Sequence, residues 1–376
     1  MMHRIRPSIR GLAAVVIGLS TIASLAAAPR PASPAAEIRA VWAHPGQFPT
    51  DPAEAKARMK TVLDAWSRAG IDTVIMLVKT TSGQVYWPSK IAERDPAYAG
   101  YDLLGLLIEE AGPRGLTIQP WFCVFDEGAI VGQVRQHPEW LIRSPKNELI
   151  GIVNPALPEV REYERSLMLE VASTYPVDWI HLDYIRYPCS PSEVYFSWDP
   201  RTRALFKEYS GVDPIDIKAR DSGNILWNEW IDWNRGQVTT FLRELRTGLA
   251  SLGRTVKVSA AVFPSAGEAR VLIGQDWPVW CREGLVDMLC PMLYTNNLGY
   301  FEKYARQAMA AAAGRIPVLP GLGIGTSHNQ ATPEIMMAEI EIGRKLGASG
   351  HVLFSGTSLK PEFLEALRAD RAKAVK

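Results

Sequence analysis

The feature that most constrains the fold is a regular alternation of short apolar runs with helical patterns. Eight runs rich in β-branched and aromatic residues begin near residues 37, 72, 116, 178, 255, 286, 316 and 349. Segments with helical periodicity lie between them. The clearest is "DPAEAKARMKTVLDAWSRAG", where apolar residues recur at i, i+3, i+4 and i+7 from Met59.

Eight strands that alternate with helices over about 330 residues match a (β/α)8 barrel, because parallel strands need helical crossovers. A doubly wound open sheet is the alternative, but it usually has only about five or six strands. The sequence therefore predicts an α/β protein with a TIM-barrel domain over residues 37–376. Long loops are predicted after strands two, three and four (80–100, 125–156 and 185–224), and such βα loops build the active site of a barrel.

Residues 1–28 are typical of a secretory signal peptide. Three arginines (Arg4, Arg6 and Arg10) precede the apolar run "GLAAVVIGLSTIASLAAA", which ends in an A-x-A cleavage pattern. We expect this segment to direct export to the periplasm or the extracellular space, with residues 29–36 as a Pro/Ala linker and no membrane span in the mature chain. An uncleaved membrane anchor is the alternative, since about 18 apolar residues border on spanning length.

The charge and the cysteines of the chain bear on three questions: nucleic-acid binding, zinc binding and disulfide formation. The chain carries 41 Lys and Arg against 40 Asp and Glu, so no basic surface for nucleic acid is indicated. The spacing of Cys123, Cys189, Cys281 and Cys290 matches no zinc pattern. A disulfide between Cys123 and Cys189 is one expectation, because both follow neighbouring predicted strands, and buried free thiols are the other.

The segment "VDWIHLDYIRYP" ends a predicted strand on a carboxylate. Side chains alternate along a strand, so if Ile180 and Leu182 face the surrounding helices, His181 and Asp183 face the barrel interior. Asp183 is then the inward group nearest the mouth of the barrel. A buried carboxylate is costly unless it is paired or hydrogen-bonded, and Arg186, Lys79 or His181 could supply a partner. A salt bridge that only holds the loop is the alternative role for Asp183.

Seven segments together resemble a known family. They are "VDWIHLDYIRYP", "LVKTTSGQVYWPSK", "GLTIQPWFCVF", "HPEWL", "VNPALPEVREY", "QDWPVWCREGLVDMLCPMLY" and "GLGIG", and they span nearly all of residues 37–356. This chain is similar to the bacterial glycosyl-hydrolase-like 10 family, which is separate from the family-10 xylanases. The resemblance implies an exported barrel hydrolase that acts on an envelope polysaccharide such as peptidoglycan glycan strands, with its acid at Asp183. Many relatives carry a second acid next to this position, where the chain has Tyr184.

Glycoside cleavage needs one protonated carboxyl and one carboxylate. We predict Asp183 as the nucleophile or the ion-stabilising carboxylate. Glu127 in "FCVFDEGA" and Glu268 in "VFPSAGEAR" are equal candidates for the proton donor. Asp276 is a third, although the following "WP" is typical of a helix N-cap, and Asp287 opens strand six and is expected to be structural.

Sugars present apolar ring faces and hydroxyl groups, so their sites combine aromatic and hydrogen-bonding side chains. The candidates at predicted strand ends or in their loops are His44, Lys79, Trp87, Trp121, His181, Arg186, Tyr187, Trp198, Tyr294 and Asn296. His44 and Lys79 have an alternative role as partners of Asp183. Trp66, Trp227, Trp230 and Trp233 fall on predicted helices and are expected to pack in the core.

Three other functions are alternatives to a carboxylate-dependent glycoside hydrolase. A metal-dependent hydrolase would need clustered ligands, whereas the histidines are scattered without H-x-H or H-E-x-x-H, so we predict no catalytic metal and no cofactor. A serine nucleophile would need a G-x-S-x-G turn, which is absent from the sequence. A non-catalytic glycan-binding barrel, whose acids only hold a polysaccharide or oligosaccharide, remains open.

Overall fold

The computed structural model describes residues 37–189 and 196–374, and eight parallel strands form its centre. The predicted signal peptide and linker lie outside the described residues. The barrel strands are β1 (Ile38–Ala43), β2 (Thr73–Lys79), β3 (Thr117–Cys123), β6 (Trp179–Asp183), β7 (Lys257–Val262), β8 (Met288–Pro291), β9 (Gly321–Gly323) and β10 (Gly350–Phe354). Two further strands, β4 (Leu141–Arg143) and β5 (Leu149–Val153), form an antiparallel hairpin.

The strand order confirms the predicted barrel. Neighbouring strands follow the order β8-β7-β6-β3-β2-β1-β10-β9, and every pairing in this sheet is parallel. Single parallel bridges from Leu289 to Val318 and from Met292 to Gly321 connect the two ends of this order. The ring of strands is thus nearly closed, and it has few exposed edge groups.

Helices cover the outside of the barrel. They are α1 (Pro52–Arg68), α2 (Leu103–Ala111), α3 (Gly132–Gln136), α4 (Pro158–Thr174), α5 (Pro200–Ser210), α6 (Ile225–Ala250), α7 (Ala266–Leu272), α8 (Trp277–Arg282), α9 (Leu298–Ala312), α10 (Pro333–Lys345) and α11 (Pro361–Ala374). The start of α1 shows why the sequence signal is readable: the Asp51 carboxylate accepts the N–H groups of Ala53 and Glu54, and Pro52 occupies the first turn. In the described part of the chain, no helix combines the length and apolarity needed to cross a bilayer.

Two apolar layers result from the alternation of side chains along the strands. Ile180 and Leu182 of β6 pack with the helices in the large outer core, as predicted. The inner layer fills the barrel and includes Trp42, Trp121 and Cys123. Since Cys123 is paired with Asp183 across the β3–β6 ladder, the acid belongs to the inner side.

The long loops carry structure of their own. The segment after β3 contains the β4–β5 hairpin, which the sequence did not predict, and α5 lies within the segment after β6. Asp287 precedes β8, accepts the N–H of Val258 at 2.7 Å and pairs with Arg246, so its predicted structural role is consistent with its contacts. All four cysteines are free thiols, including Cys123 and Cys189, which do not form the disulfide considered above.

Candidate active site

A cavity of about 880 Å³ opens at the C-terminal ends of the barrel strands. Its walls are mainly aromatic and apolar, with Trp42, Trp121, Phe263, Tyr294 and Phe354 among them. Asp183 lines this cavity at the end of β6, and it is the only acid among the lining residues of the described chain. The predicted inward position of Asp183 is therefore confirmed by its place in the fold.

Asp183 is held in an environment that makes proton exchange feasible near neutral pH. Only 6% of the residue is exposed, and one carboxylate oxygen accepts the N–H of Tyr184 at 2.7 Å. Burial raises the pKa of Asp183 to about 6, against the opposing charge of Arg186 and the hydrogen bond from Tyr184. Tyr184 adopts a left-handed conformation (φ +50°), a strained backbone for a large residue that turns the chain back over the acid.

Asp126 is a second acid in the same electrostatic neighbourhood, and sequence reasoning missed it. Burial raises its pKa to about 6, whereas the charges of Lys79 and Arg186 lower it. Its negative charge in turn raises the pKa of Asp183. Asp126 does not line the cavity, so its connection to Asp183 is electrostatic, and both acids lie in the field of Arg186.

The missed signal lies in the backbone after β3. The N–H groups of Val124 and Phe125 donate to the carbonyl oxygens of Asp183 (2.8 Å) and Tyr184 (3.2 Å). Two consecutive amides that both bond to the adjacent strand break the regular period of two, as in a β-bulge. Phe125 consequently packs outward in the outer core, and alternation no longer indicates which way the next acids point.

Glu127 and Lys79 are buried beneath the site and do not line the cavity, which corrects two sequence-based expectations. The Lys79 ammonium lies 2.9 Å from a Glu127 carboxylate oxygen and 3.2 Å from one of Glu164, and all three side chains have no exposed surface. Lys79 also donates to the backbone oxygens of Cys123 and Val124, each at 2.9 Å. Burial raises the pKa of Glu164 well above its ordinary value, which favours its neutral form beside Lys79.

Glu268, the other predicted proton donor, also lies outside the cavity lining. It is exposed in the first turn of α7, where its N–H group bonds to the Ser265 hydroxyl at 3.4 Å. Asp276 precedes α8 as expected, but its carboxylate pairs with Arg235 (3.0 Å) and Arg270 (3.5 Å) instead of capping the helix. Neither side chain is placed to reach a ligand beside Asp183.

Four of the predicted binding residues do meet in the cavity: His44, Trp121, Arg186 and Tyr294. The Tyr294 ring stacks on Phe354 with centroids 5.1 Å apart, and the Arg186 guanidinium lies 4.6 Å from the Tyr184 ring. Burial lowers the pKa of His44, so its imidazole is neutral at ordinary pH. The indole N–H of Trp121 is buried without a hydrogen-bond partner in the described structure, which leaves a donor for a ligand.

The remaining predicted binding residues have other roles. Trp87 is buried and donates to Glu170 at 2.9 Å, and Tyr187 is buried with its hydroxyl donating to Asn234 at 3.2 Å. Trp198 is largely buried and stacks on Trp227. Asn296 is exposed, bonds to Gln330 and Asn329, and does not line the cavity. These placements correct the expectation that all four contact the ligand.

His181 lies below the cavity and supports its floor. The Trp42 indole N–H donates to His181 Nε2 at 3.0 Å, so Nδ1 carries the proton and donates to the Ser259 hydroxyl at 2.8 Å. Ser259 in turn donates to Gln119 at 2.7 Å. Burial lowers the pKa of His181 to about 3, which keeps the ring neutral. Each group from Trp42 through His181 and Ser259 to Gln119 then donates to the next.

Trp42, whose indole forms part of the cavity floor, was also missed by sequence reasoning. Its rings meet those of Trp121, Tyr294 and Phe354 at centroid distances of 5.9–6.4 Å. Trp42 lies two residues before His44, so the alternation of β1 that points one of them inward also points the other inward. The described residues contain no group of three or more His, Cys, Asp or Glu arranged to hold a metal ion.

Comparison with known proteins identifies similar sequences. A model of the family described as Glycosyl hydrolase-like 10 matches residues 37–339. Glycosyl hydrolase DigH of Escherichia coli (strain K12) is 25% identical over 270 residues, which cover 62% of this chain and 56% of DigH. Glycosyl hydrolase YngK of Bacillus subtilis (strain 168) is 22% identical over 295 residues, 69% of this chain and 54% of YngK. The chain thus spans about half the length of these curated relatives.

Solved structures share the barrel. The glycoside hydrolase domain of PgaB (BpsB) from Bordetella bronchiseptica has a TM-score of 0.68 at 16% identity, covering 89% of this chain and 98% of that domain. A beta-galactosidase from the psychrophilic Marinomonas ef1 has a TM-score of 0.65 at 13% identity, covering 90% and 59%. At these identities the similarity supports the fold, and the chemistry has to be argued from the residues of this chain.

Proposed function

The chain belongs to the glycosyl hydrolase-like 10 family, and we propose that it is a glycoside hydrolase that cleaves a polysaccharide at Asp183. The observation that carries the proposal is a single buried acid with a pKa of about 6, placed in an aromatic cavity at the catalytic end of a barrel. Aromatic walls suit the apolar faces of sugar rings. The resemblance to the family favours an exported protein and an envelope glycan such as peptidoglycan strands as substrate.

The two acids near Arg186 supply the two roles that hydrolysis needs. The Asp183 anion is stabilised by the hydrogen bond from the Tyr184 N–H at 2.7 Å, so we assign it the carboxylate role. Within the described residues no donor bonds to the Asp126 carboxylate, and burial raises its pKa to about 6, so we assign it the role of proton donor. Asp126 does not itself line the cavity, and its assignment rests on its effect on the pKa of Asp183. In this scheme Asp126 gives its proton to the glycosidic oxygen as the bond to the anomeric carbon breaks, Asp183 attacks that carbon or stabilises its positive charge, and water then adds to the carbon and returns a proton.

Two substitutions test this assignment. Asp183→Asn should abolish the release of reducing ends from peptide-free peptidoglycan, because no carboxylate would remain at the reacting carbon. Asp126→Asn should slow the reaction by about 10²–10⁴-fold on the natural linkage. It should retain much more activity on an aryl glycoside whose leaving group needs no proton.

A third variant separates this assignment from the donor predicted by sequence. Glu268→Gln should keep full activity, because Glu268 is exposed on α7 and does not line the cavity. Circular dichroism of each variant would show whether folding is retained. Activity that survives in Asp183→Asn, or is lost in Glu268→Gln, would contradict the assignment.

A non-catalytic glycan-binding barrel is the second candidate function. It is favoured by one observation: Asp183 is the sole acid of the described chain that lines the cavity, with Tyr184 at the neighbouring position. Mass spectrometry of products from a panel of glycans distinguishes the two functions. Binding by the wild-type protein without any new product would select the binding function.

A further inference from the structure

The cavity extends beyond the ends of the strands and over the first turns of α9. Tyr300 and Tyr304 line it, although they belong to this helix and not to a barrel strand. Tyr300 is 52% exposed, and Tyr304 is half-buried. A large exposed aromatic side chain that borders an active-site cavity is a typical mark of a ligand-binding surface.

The two rings lie nearly parallel to each other at the border of the cavity. They are four residues apart, so they lie on the same face of the helix, with centroids 6.4 Å apart and planes only 14° from parallel. The adjacent side of α9 is anchored in the core by Phe301, Ala305 and Ala308. The Asn297 side chain caps the helix by accepting the N–H of Tyr300 at 3.0 Å. The pair is therefore presented to the cavity in a fixed orientation.

The loop after β9 stabilises the same end of the cavity. His328 lines the cavity from this loop. Its neighbour Asn329 donates to the Asn296 side chain at 3.0 Å and to the backbone oxygen of Gly323 at 2.7 Å. This link ties the loop to the residues that precede α9, so the outer part of the cavity has walls on two sides.

From this geometry we infer that Tyr300 and Tyr304 form an outer subsite that binds sugar units of a glycan chain beyond the one at Asp183. The inference rests on the proposed function for the class of ligand. A cavity of about 880 Å³ lies near the upper end of the range of about 300–1,000 Å³ for small-ligand sites, so it holds more than one sugar ring. The aromatic surface of this pair suits contact with the apolar faces of sugar rings.

The subsite makes the protein select for chain length. A ligand that contacts both Asp183 and the tyrosine pair must be an oligosaccharide or a polymer, whereas a disaccharide bound at Asp183 leaves the pair uncovered. Affinity for long chains should therefore depend on the tyrosines, and affinity for short ones should not. A merely structural role for the pair would weaken binding of both ligands equally.

Binding measured in the Asp183→Asn protein tests this without turnover. The two ligands are long glycan strands of peptide-free peptidoglycan and the disaccharide obtained from them. Titration calorimetry measures the Kd of each. Adding Tyr300→Ala and Tyr304→Ala together should raise the Kd for the long strands at least tenfold, and should change the Kd for the disaccharide less than twofold. Replacing both tyrosines by Phe should preserve binding, because the stacking surface remains.

Tyr209→Ala is the matched control, since Tyr209 is a tyrosine on α5 that is 62% exposed and does not line the cavity. An unchanged Kd for long strands in the double Ala variant, or an equal loss for both ligands, overturns the subsite. Lack of binding of the long strands by the Asp183→Asn protein also rejects it. Reducing-end release by the wild-type protein is measured separately. If the protein hydrolyses the strands but binds them equally well without the tyrosines, only the subsite is rejected. If binding depends on the tyrosines but no hydrolysis occurs, only the catalytic proposal is rejected.

Discussion

Arg186 lowers the pKa values of two acids, Asp183 in the cavity and Asp126 after β3. Its guanidinium packs over the rings of Tyr184 (4.6 Å) and Phe263 (5.1 Å). Burial raises the pKa values of both Asp183 and Asp126 to about 6, and the charge of Arg186 opposes this rise for each of them. The pair is expected to be most active while it carries one proton, with kcat/KM falling above pH 6 as that proton is lost.

Replacing Arg186 should shift this pH dependence in a predictable direction. Without the cation the anionic forms are less stable, so Arg186→Gln should raise both pKa values and move the alkaline limb of kcat/KM up by about one pH unit or more. The measurement is a pH profile of reducing-end release. Arg186→Lys keeps a positive charge and should leave the profile near that of the wild type. Coincident profiles for Arg186→Gln and the wild-type protein would contradict the proposed role.

At this scale the sequence predicts some residues well and others poorly. Asp183 was found because a regular strand alternates up to its last residue. The sequence proposes Glu127 and not Asp126 as a donor. Two consecutive amides after β3 bond to Asp183 and Tyr184, so the alternation of side chains does not distinguish the two acids there. The burial of Lys79 could not be predicted, because it depends on Glu164, a residue 85 positions away in the chain.

Among the secondary-structure elements, the ends of β2 and β3 are joined by one buried cation. The Lys79 ammonium bonds to backbone oxygens of Cys123 and Val124 directly after β3, and its charge is balanced by Glu127. This contact holds the segment from which Asp126 projects. Lys79 is thus a positioning residue for the site, although it does not line the cavity.

Removing one partner of this buried pair should cost far more than removing both. Lys79→Met leaves Glu127 buried without its cation, and we expect a loss of about 3–5 kcal/mol in the free energy of unfolding. Lys79→Met combined with Glu127→Gln removes both charges, so it should recover about half of that loss while still lacking the bonds to the backbone. Urea denaturation at pH 7 measures both variants. Equal free energies of unfolding for the single and the double variant would show that the unpaired charge of Glu127 does not cause the loss of stability.

Most of the elements could be predicted because each carries a local signal. The eight barrel strands and α1 have the required periodicity, and Asp51 with Pro52 marks a helix start. The β4–β5 hairpin was not predicted, since its strands have only three and five residues. It is positioned by distant contacts, such as the bond from the Trp198 N–H to the Arg143 carbonyl at 2.9 Å.

For the molecule as a whole, a charged network at the N-terminal end of the barrel joins the first and last described elements. Arg344 of α10 bonds to Glu37 before β1 at 2.8 Å and to Asp370 of α11 at 2.7 Å. Arg39 of β1 reaches the same Asp370 at 3.2 Å. Because β1 also pairs with β10, this network reinforces the place where the chain closes its ring of strands.

The network should make the stability of the barrel depend on acid pH. Burial opposes ionisation of Glu37, but the nearby His351 ring (3.6 Å) and the hydrogen bonds from Arg344 outweigh it and lower its pKa to about 2. The hydrogen bond from Arg344 also lowers the pKa of Asp370. Since the folded pKa values lie below the unfolded ones, this stabilisation is present above about pH 4.5 and is lost as the pH falls toward 2.

Arg344→Gln should weaken this dependence, because both pKa values would move back toward those of the unfolded chain. We expect a Tm lower by about 2–4 °C at pH 7 and a smaller further decrease between pH 5 and pH 3 than in the wild-type protein. Arg306→Gln is the matched control, since Arg306 forms only an exposed pair with Glu302 on one helix and should leave Tm nearly unchanged. Calorimetric scans across this pH range measure both variants. Parallel curves for Arg344→Gln and the wild type would mean that the acid sensitivity arises elsewhere, and that closure of the barrel depends on strand pairing more than on charge.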